Sequence, residues 1–194
     1  FVFYSCVAAF APQYLLYSPL IYLFWRIIMS IINKAKYFAI QFKVAIELGL
    51  AISGKEGTCP STTPNGTRVL DASSELQGPD ARAFGSKVPL ALSGLESTVV
   101  ITRQLASCTS ILNAVLLHEE GHVALDAVPE CGWTMLSAEL AADNYMRVRA
   151  TTKECMALLA MLEYVNPHMM KSGQVEAYET NIARIRSLKA YLGV

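Results

Sequence analysis

The sequence has few charges and lacks the features that mark several common classes of protein. Charged residues make up 16% of its 194 residues, and 16 basic side chains balance 16 acidic ones. A nucleic-acid-binding surface needs a clustered basic excess, so this balance argues against nucleic acid as a partner. The five cysteines are odd in number and include no Cys-x-x-Cys pair. This pattern excludes a disulfide scaffold and a cysteine zinc knuckle.

Charge is absent altogether from residues 1–25, which are rich in aromatic and aliphatic side chains. The window from Tyr14 to Asn33 has the length of about 20 mostly apolar residues that a spanning helix needs, with Arg26 as its one charge. We therefore expect residues 1–35 to be a hydrophobic helical segment that anchors the chain in a membrane or docks on a partner protein. Since the first basic residues follow the uncharged run, the rest of the chain would face the cytoplasm. Without an anchor the protein would be cytoplasmic.

Residues 36–194 carry the pattern of a folded domain. Two short β-rich runs, at Arg68–Asp71 and Ser97–Thr102, predict strands. The periodicity of apolar residues, with its caps and breaks, predicts five helices. These are expected at residues 36–52, 110–127 (capped by Thr109 or Ser110), 135–149, 151–166 (ending before Pro167) and 174–192. In the last helix, Val175, Tyr178, Ile182, Ile185, Leu188 and Leu192 form one stripe, which we interpret as its core face.

The segment from His118 to His122 reads His-Glu-Glu-Gly-His and lies in an apolar run with helical character. Residues four apart share one face of a helix, so His118 and His122 can offer two imidazole nitrogens to one metal ion. Glu119 lies beside them and can act as the general base on a zinc-activated water. Glu120 is expected to be a solvated charge.

A second motif follows at Glu139 and Asp143. The 17 positions from His122 to Glu139 (139 − 122 = 17) suffice to end one helix, turn, and bring a second helix alongside. We predict Glu139 as the third zinc ligand. Asp143 shares its face and is expected to orient a ligand histidine, His118. A donor for the developing oxyanion could come from His168, Tyr145 or Tyr178.

The two motifs together resemble those of the gluzincin zinc metallopeptidases. They are most similar to the membrane protease family that includes the HtpX heat-shock protease and the CAAX-prenyl endopeptidases. The likeness extends to Ala45–Leu50, to Arg68–Asp71 and to Ala83-Phe84-Gly85. The short spacing between the motifs is closer to that of the ImmA/IrrE-like peptidases.

This resemblance implies an α+β fold, a zincin-like metallopeptidase domain with a small sheet, an active-site helix pair and C-terminal helices. It also implies that an edge strand binds extended substrate by strand addition, and the residues concerned are Ser97, Thr98, Val99, Val100, Ile101 and Thr102. The expected function is that of a zinc endopeptidase acting on protein or peptide substrates. The alternative is a non-catalytic structural or assembly protein that retains the zincin fold and docks through its N-terminus. A protease held inactive until a partner or a cleavage releases it is a third possibility.

Overall fold

The structure is a computed structural model, and it describes residues 19–72, 91–93, 97–127 and 132–194. Six α-helices and three β-strands lie in these ranges. In chain order they are α1 (Pro19–Ile52), β1 (Val69–Asp71), β2 (Ala91–Ser93), β3 (Val99–Ile101), α2 (Arg103–Ala106), α3 (Leu112–Leu125), α4 (Met135–Arg147), α5 (Thr152–Lys171) and α6 (Val175–Leu192). Residues 83–85, part of the resemblance above, lie outside the described ranges.

The predicted α+β, zincin-like fold class is wrong. Helices make up most of the described residues, and each strand has only three residues. The core is accordingly built by helices: α5 packs against α1 and α6, and α3 packs against α4. The β-branched run yields so short a strand because Thr102 already caps α2, its side chain accepting a hydrogen bond from the Leu105 amide. The architecture is therefore essentially all-α, with a small sheet attached.

The sheet places β3 in the middle. Its strand order is β1-β3-β2, with β1 parallel and β2 antiparallel to β3. Residues Val99 and Ile101 are fully buried. Both sides of this backbone are paired, so Ser97–Thr102 is not an edge strand as the resemblance implies. Among the described strands, the edge that contacts α3 is β2.

Helix α1 has 34 residues and runs without a break through residue 35, where we expect a boundary. Its second half buries Tyr37, Val44 and Leu48 and packs against α5. Among the helices that the structure describes, none is both long enough and apolar enough to cross a membrane. The window predicted to be an anchor begins before residue 19, outside the described ranges.

The predicted start of helix α5 is confirmed, and its predicted end is wrong. At the start, Thr151 and Glu154 form a capping box, each side chain bonding the other's backbone amide. At the end, the helix continues through Pro167 to Lys171 instead of stopping before it. A proline removes one backbone donor, but the turn beyond it is closed by Ser172, whose amide donates to the His168 carbonyl.

One carboxylate joins three helices. Glu163 of α5 accepts hydrogen bonds from the Tyr37 hydroxyl (2.7 Å) and the Gln41 amide (2.6 Å) of α1. Its other oxygen lies 2.6 Å from Nζ of Lys189 on α6. The pKa of Glu163 is lowered, because Lys189 and Tyr37 outweigh the opposing effect of burial. This junction fixes α1 against the α5–α6 pair.

We expect Glu163→Ala to lower the free energy of unfolding by about 1–3 kcal/mol, because it leaves the buried hydroxyl of Tyr37 without its acceptor. Denaturant unfolding measures this loss. The matched control is Glu179→Ala, which removes an exposed carboxylate of α6 and should cost less than about 0.5 kcal/mol. Equal losses in the two variants would contradict the role assigned to Glu163.

Candidate metal centre

Helix α3 is positioned at its start by a residue from α1. Its N-cap is Ile111, which has no side-chain cap, so the prediction of Thr109 or Ser110 as the cap is wrong. The carboxylate of Glu47 instead accepts hydrogen bonds from the amide of Ser110 (2.8 Å) and from its hydroxyl (2.9 Å). A carboxylate near the unpaired amides of a helix start stabilises that end.

Helices α3 and α4 approach closely at Gly121. A Cβ atom at this position would lie 2.9 Å from the Cα of Ala142 and 3.0 Å from the Cβ of Tyr145. On the α4 side, Ala138 and Ala142 are buried and small. The missing side chain at residue 121 is therefore what lets Glu139 reach the histidines of α3.

His118, His122 and Glu139 form a group that can hold a metal ion, with one ligand atom from each lying within 4.8 Å of the others. The two Nε2 atoms are 3.3 Å apart. The Glu139 oxygens lie 3.1 Å from Nε2 of His118 and 3.5 Å from Nε2 of His122. Both histidines are buried. The geometry thus brings together the three residues that the sequence predicts as ligands.

The other ring nitrogen of each histidine has an acceptor of its own. Nδ1 of His118 lies 2.9 Å from Oδ1 of Asp143. Nδ1 of His122 lies 2.7 Å from the carbonyl oxygen of Ala127. An Nδ1–H that donates to such an acceptor leaves the Nε2 lone pair for a metal. Both rings are therefore held, by contacts outside the group of three, in an orientation that suits metal binding.

A buried arginine, Arg184 of α6, completes the centre. Its Nε and Nη2 each donate to a different oxygen of Asp143 at 2.9 Å, a two-point contact. Its Nη1 lies 2.6 Å from Oε2 of Glu139. The positive charge of one guanidinium thus compensates the negative charges of both acidic residues of the second motif.

Sequence reasoning misses Arg184 because the predicted apolar stripe of α6 overlaps its buried face only in part. Leu188 and Leu192 are buried as predicted, and Ile185 packs against the core. Val175, in the predicted stripe, is 54% exposed, and Tyr178 is only half-buried. The face that is buried carries Thr180, Asn181, Arg184, Leu188 and Leu192. The available signal is the spacing of these residues by three and four along the chain, which a search for apolar side chains alone overlooks.

The charges of the centre shift the pKa values of its members. Burial and the Arg184 charge lower the pKa of His118, but hydrogen bonds to Asp143 and Glu139 outweigh them and raise it to about 9. Burial raises the pKa of Asp143, but Arg184 and His118 outweigh it and lower the pKa to about 2. Hydrogen bonds from the two histidines likewise lower the pKa of Glu139 against the effect of burial. Both carboxylates are therefore ionised at neutral pH, as metal binding requires, whereas His118 is protonated there and a metal ion has to displace that proton.

Glu119 is half-buried and interacts electrostatically with His118, His122 and Glu139. Burial raises its pKa, the two histidines lower it, and the net result is a raised value. A carboxylate whose pKa moves up toward neutral pH is a better proton acceptor. The general-base role of Glu119 stays a prediction.

Glu120 is not the solvated charge that we expect from the sequence. Its side chain is buried and accepts hydrogen bonds from the Asn65 amide and the Thr67 hydroxyl, both at 2.9 Å. It holds the turn around Gly66 against α3, on the side away from the two histidines.

The three predicted oxyanion donors lie in different places. His168 is exposed near the end of α5, with its ring 5.9 Å from that of Tyr164. Tyr145 of α4 has Arg149 stacked 3.5 Å over its ring. Tyr178 is half-buried on α6. Among the described residues, none of the three forms a hydrogen bond with a predicted ligand, and the oxyanion-donor role stays a prediction.

Comparisons with protein-family models, curated proteins and solved structures found no significant match to this chain. The resemblance to gluzincins therefore depends on the sequence motifs alone.

We expect Gly121→Ala to separate α3 from α4 and to lower the free energy of unfolding by about 1–3 kcal/mol, the usual range for overpacking. Thermal and denaturant unfolding measure the effect. Gly49→Ala is the matched control, because a Cβ there meets nothing within 4 Å and a mid-helix alanine is favoured over glycine by about 1 kcal/mol. Two variants of equal stability would show that the helices are not in close contact at Gly121.

Proposed function

We propose that this protein is a zinc-dependent endopeptidase with His118, His122 and Glu139 as its zinc ligands. The observation that carries the proposal is the convergence of two Nε2 atoms and one carboxylate within 4.8 Å, beside Glu119. Two histidines and one glutamate are a known ligand set of catalytic zinc sites, which keep a fourth position open. Zinc in this place would supply a Lewis acid that polarises a carbonyl group and lowers the pKa of water.

The residues around the ligands have separate tasks in this proposal. Glu119 accepts the proton of the attacking water and returns it to the leaving amine. Asp143 holds His118 in one tautomer through the 2.9 Å contact to Nδ1. Arg184 keeps Asp143 and Glu139 ionised and in place. Bond cleavage then needs no further acid or base from the chain.

An extended peptide is the substrate that best fits the surroundings of the centre. Strand β2 lies at the edge of the described sheet and contacts α3. An edge strand offers unpaired amide and carbonyl groups, and peptides bind such edges by adding a strand. In our proposal β2 takes the substrate-binding role that the resemblance gives to Ser97–Thr102.

A structural, non-catalytic role is supported by one observation. Arg184, His118 and His122 all contact Glu139, and such an ion-pair network can hold α3, α4 and α6 together by itself. The two functions differ in turnover. One zinc per chain with cleavage of a peptide supports the peptidase, and a folded chain that binds zinc without turnover supports the structural role.

The first experiment compares the purified protein with Glu119→Gln. We expect both to carry one equivalent of zinc by elemental analysis, because residue 119 is not a ligand. Hydrolysis of casein and of a mixed peptide library should fall by about 10²–10⁴-fold in the variant, the usual contribution of a general base. The control is Asp126→Asn, which changes an exposed carboxylate at the end of the same helix. Full activity of Glu119→Gln would refute its assignment as the base.

The second experiment concerns Arg184. We expect Arg184→Met to weaken zinc binding by about 10–100-fold, as is typical when a residue that orients the ligands is lost. Competition with a chelator measures this, and circular dichroism verifies that the variant is folded. Arg186→Met removes an exposed arginine from the same helix and should bind zinc like the unchanged protein. If a folded Arg184→Met also did so, Arg184 would not position the ligands.

A further inference from the structure

Helix α1 exposes apolar side chains on the side opposite to its buried face. The buried face includes Tyr37, Val44 and Leu48. On the other side, Phe38 is 73% exposed and Phe42 is 67% exposed. Residues three and four apart stand on one helix face, so these two phenylalanines belong to a continuous stripe. We call it the α1 stripe, and its members are Phe24, Ile27, Ile31, Phe38, Phe42, Ile46 and Leu50.

The α1 stripe is a long apolar surface that the described residues leave uncovered. At 1.5 Å per residue, Phe24 and Leu50 are about 39 Å apart along the helix. Every member of the stripe is at least 45% exposed. Contiguous apolar surface of this extent on a soluble protein marks a site of interaction with a protein or a membrane.

The charges beside the stripe help to distinguish a protein from a membrane as its partner. By helical geometry, Lys34 lies on one flank of the stripe, and Lys36 and Lys43 lie on the other. All three lysines are exposed. The one acidic residue of α1, Glu47, is bonded to Ser110 and lies 3.7 Å from Nζ of the exposed Lys43, so Lys34 and Lys36 carry the uncompensated charge beside the stripe. A partner surface that complements the stripe and its lysines is therefore negatively charged on the outside and apolar beneath.

We propose that the α1 stripe docks on the surface of an anionic lipid bilayer, with the helix lying flat in the headgroup region. An apolar face flanked by lysines is the pattern of helices that bind this region, and the lysine side chains extend to the phosphate level. The packing of α1 against α5 favours this orientation, because it leaves only the outer side of residues 37–51 available.

A second copy of the chain fits the same face poorly. Two stripes packed against each other would bring the flanking lysines of both copies together, with only Glu47 of each as a neutralising charge. The proposal goes beyond the predicted anchor at residues 1–35, because its strongest apolar residues, Phe38 and Phe42, belong to the folded body. It is also independent of the metal centre and of peptide hydrolysis.

The test is co-sedimentation of the full chain with lipid vesicles. Vesicles of phosphatidylcholine with about 30% phosphatidylserine should bind the protein, and vesicles of phosphatidylcholine alone should bind it far more weakly. The double variant Phe38→Ser, Phe42→Ser should lose at least about tenfold in affinity for the anionic vesicles. Its matched control is Val148→Ser with Val175→Ser, two exposed valines elsewhere, which should bind like the unchanged protein.

A second set of variants tests the charges without touching the apolar stripe. Replacing Lys34, Lys36 and Lys43 by glutamine should weaken binding by about fivefold for each residue removed. Unchanged binding of the phenylalanine variant, or equal binding to both kinds of vesicle, would overturn the proposal. The absence of vesicle binding would overturn it as well. A monomer that does not bind vesicles would indicate a protein partner. A dimer that the phenylalanine variant abolishes would indicate self-association through the stripe.

Discussion

The centre depends on the compensation of buried charge by Arg184. Taking a carboxylate out of water costs several kcal/mol unless a partner replaces the lost hydration. Asp143 is almost fully buried, and Glu139 is largely so. The guanidinium contacts both of them, at 2.9 Å and 2.6 Å. With that contact, two acidic residues can remain ionised beside two histidines, which is the arrangement that a metal ligand group needs.

Close helix packing and a distant cap support this arrangement. Gly121 allows α4 to approach α3, since a Cβ there would lie within 3.0 Å of Ala142 and Tyr145. Glu47 stabilises the start of α3 from another helix. The same helix, α1, bears Tyr37 at the Glu163 junction on its inner side and the α1 stripe on its outer side. It therefore connects the proposed membrane-docking face to the helix that carries the two histidines.

Much of the candidate site could be predicted because its spacing is local. His118 and His122 share one face of α3, and Glu139 and Asp143 share one face of α4, as four-residue spacing requires. The capping box at Thr151 is local in the same way. The residues that join these helix faces to other helices could not be predicted from the sequence. Arg184 is 41 residues from Asp143, and Glu47 is 63 residues from Ser110.

The sequence by itself determined which side chains could form a metal group and which of them share a helix face, because an α-helix repeats every 3.6 residues wherever it lies. Tertiary structure decided the rest. It made the fold essentially all-α, placed β3 at the centre of the sheet and buried Arg184 instead of Val175. Burial of a face depends on which helix packs against it, and that choice is made by contacts between residues far apart in the chain. Local periodicity therefore identified the candidate ligand residues, and long-range packing decided which residues orient them and compensate their charge.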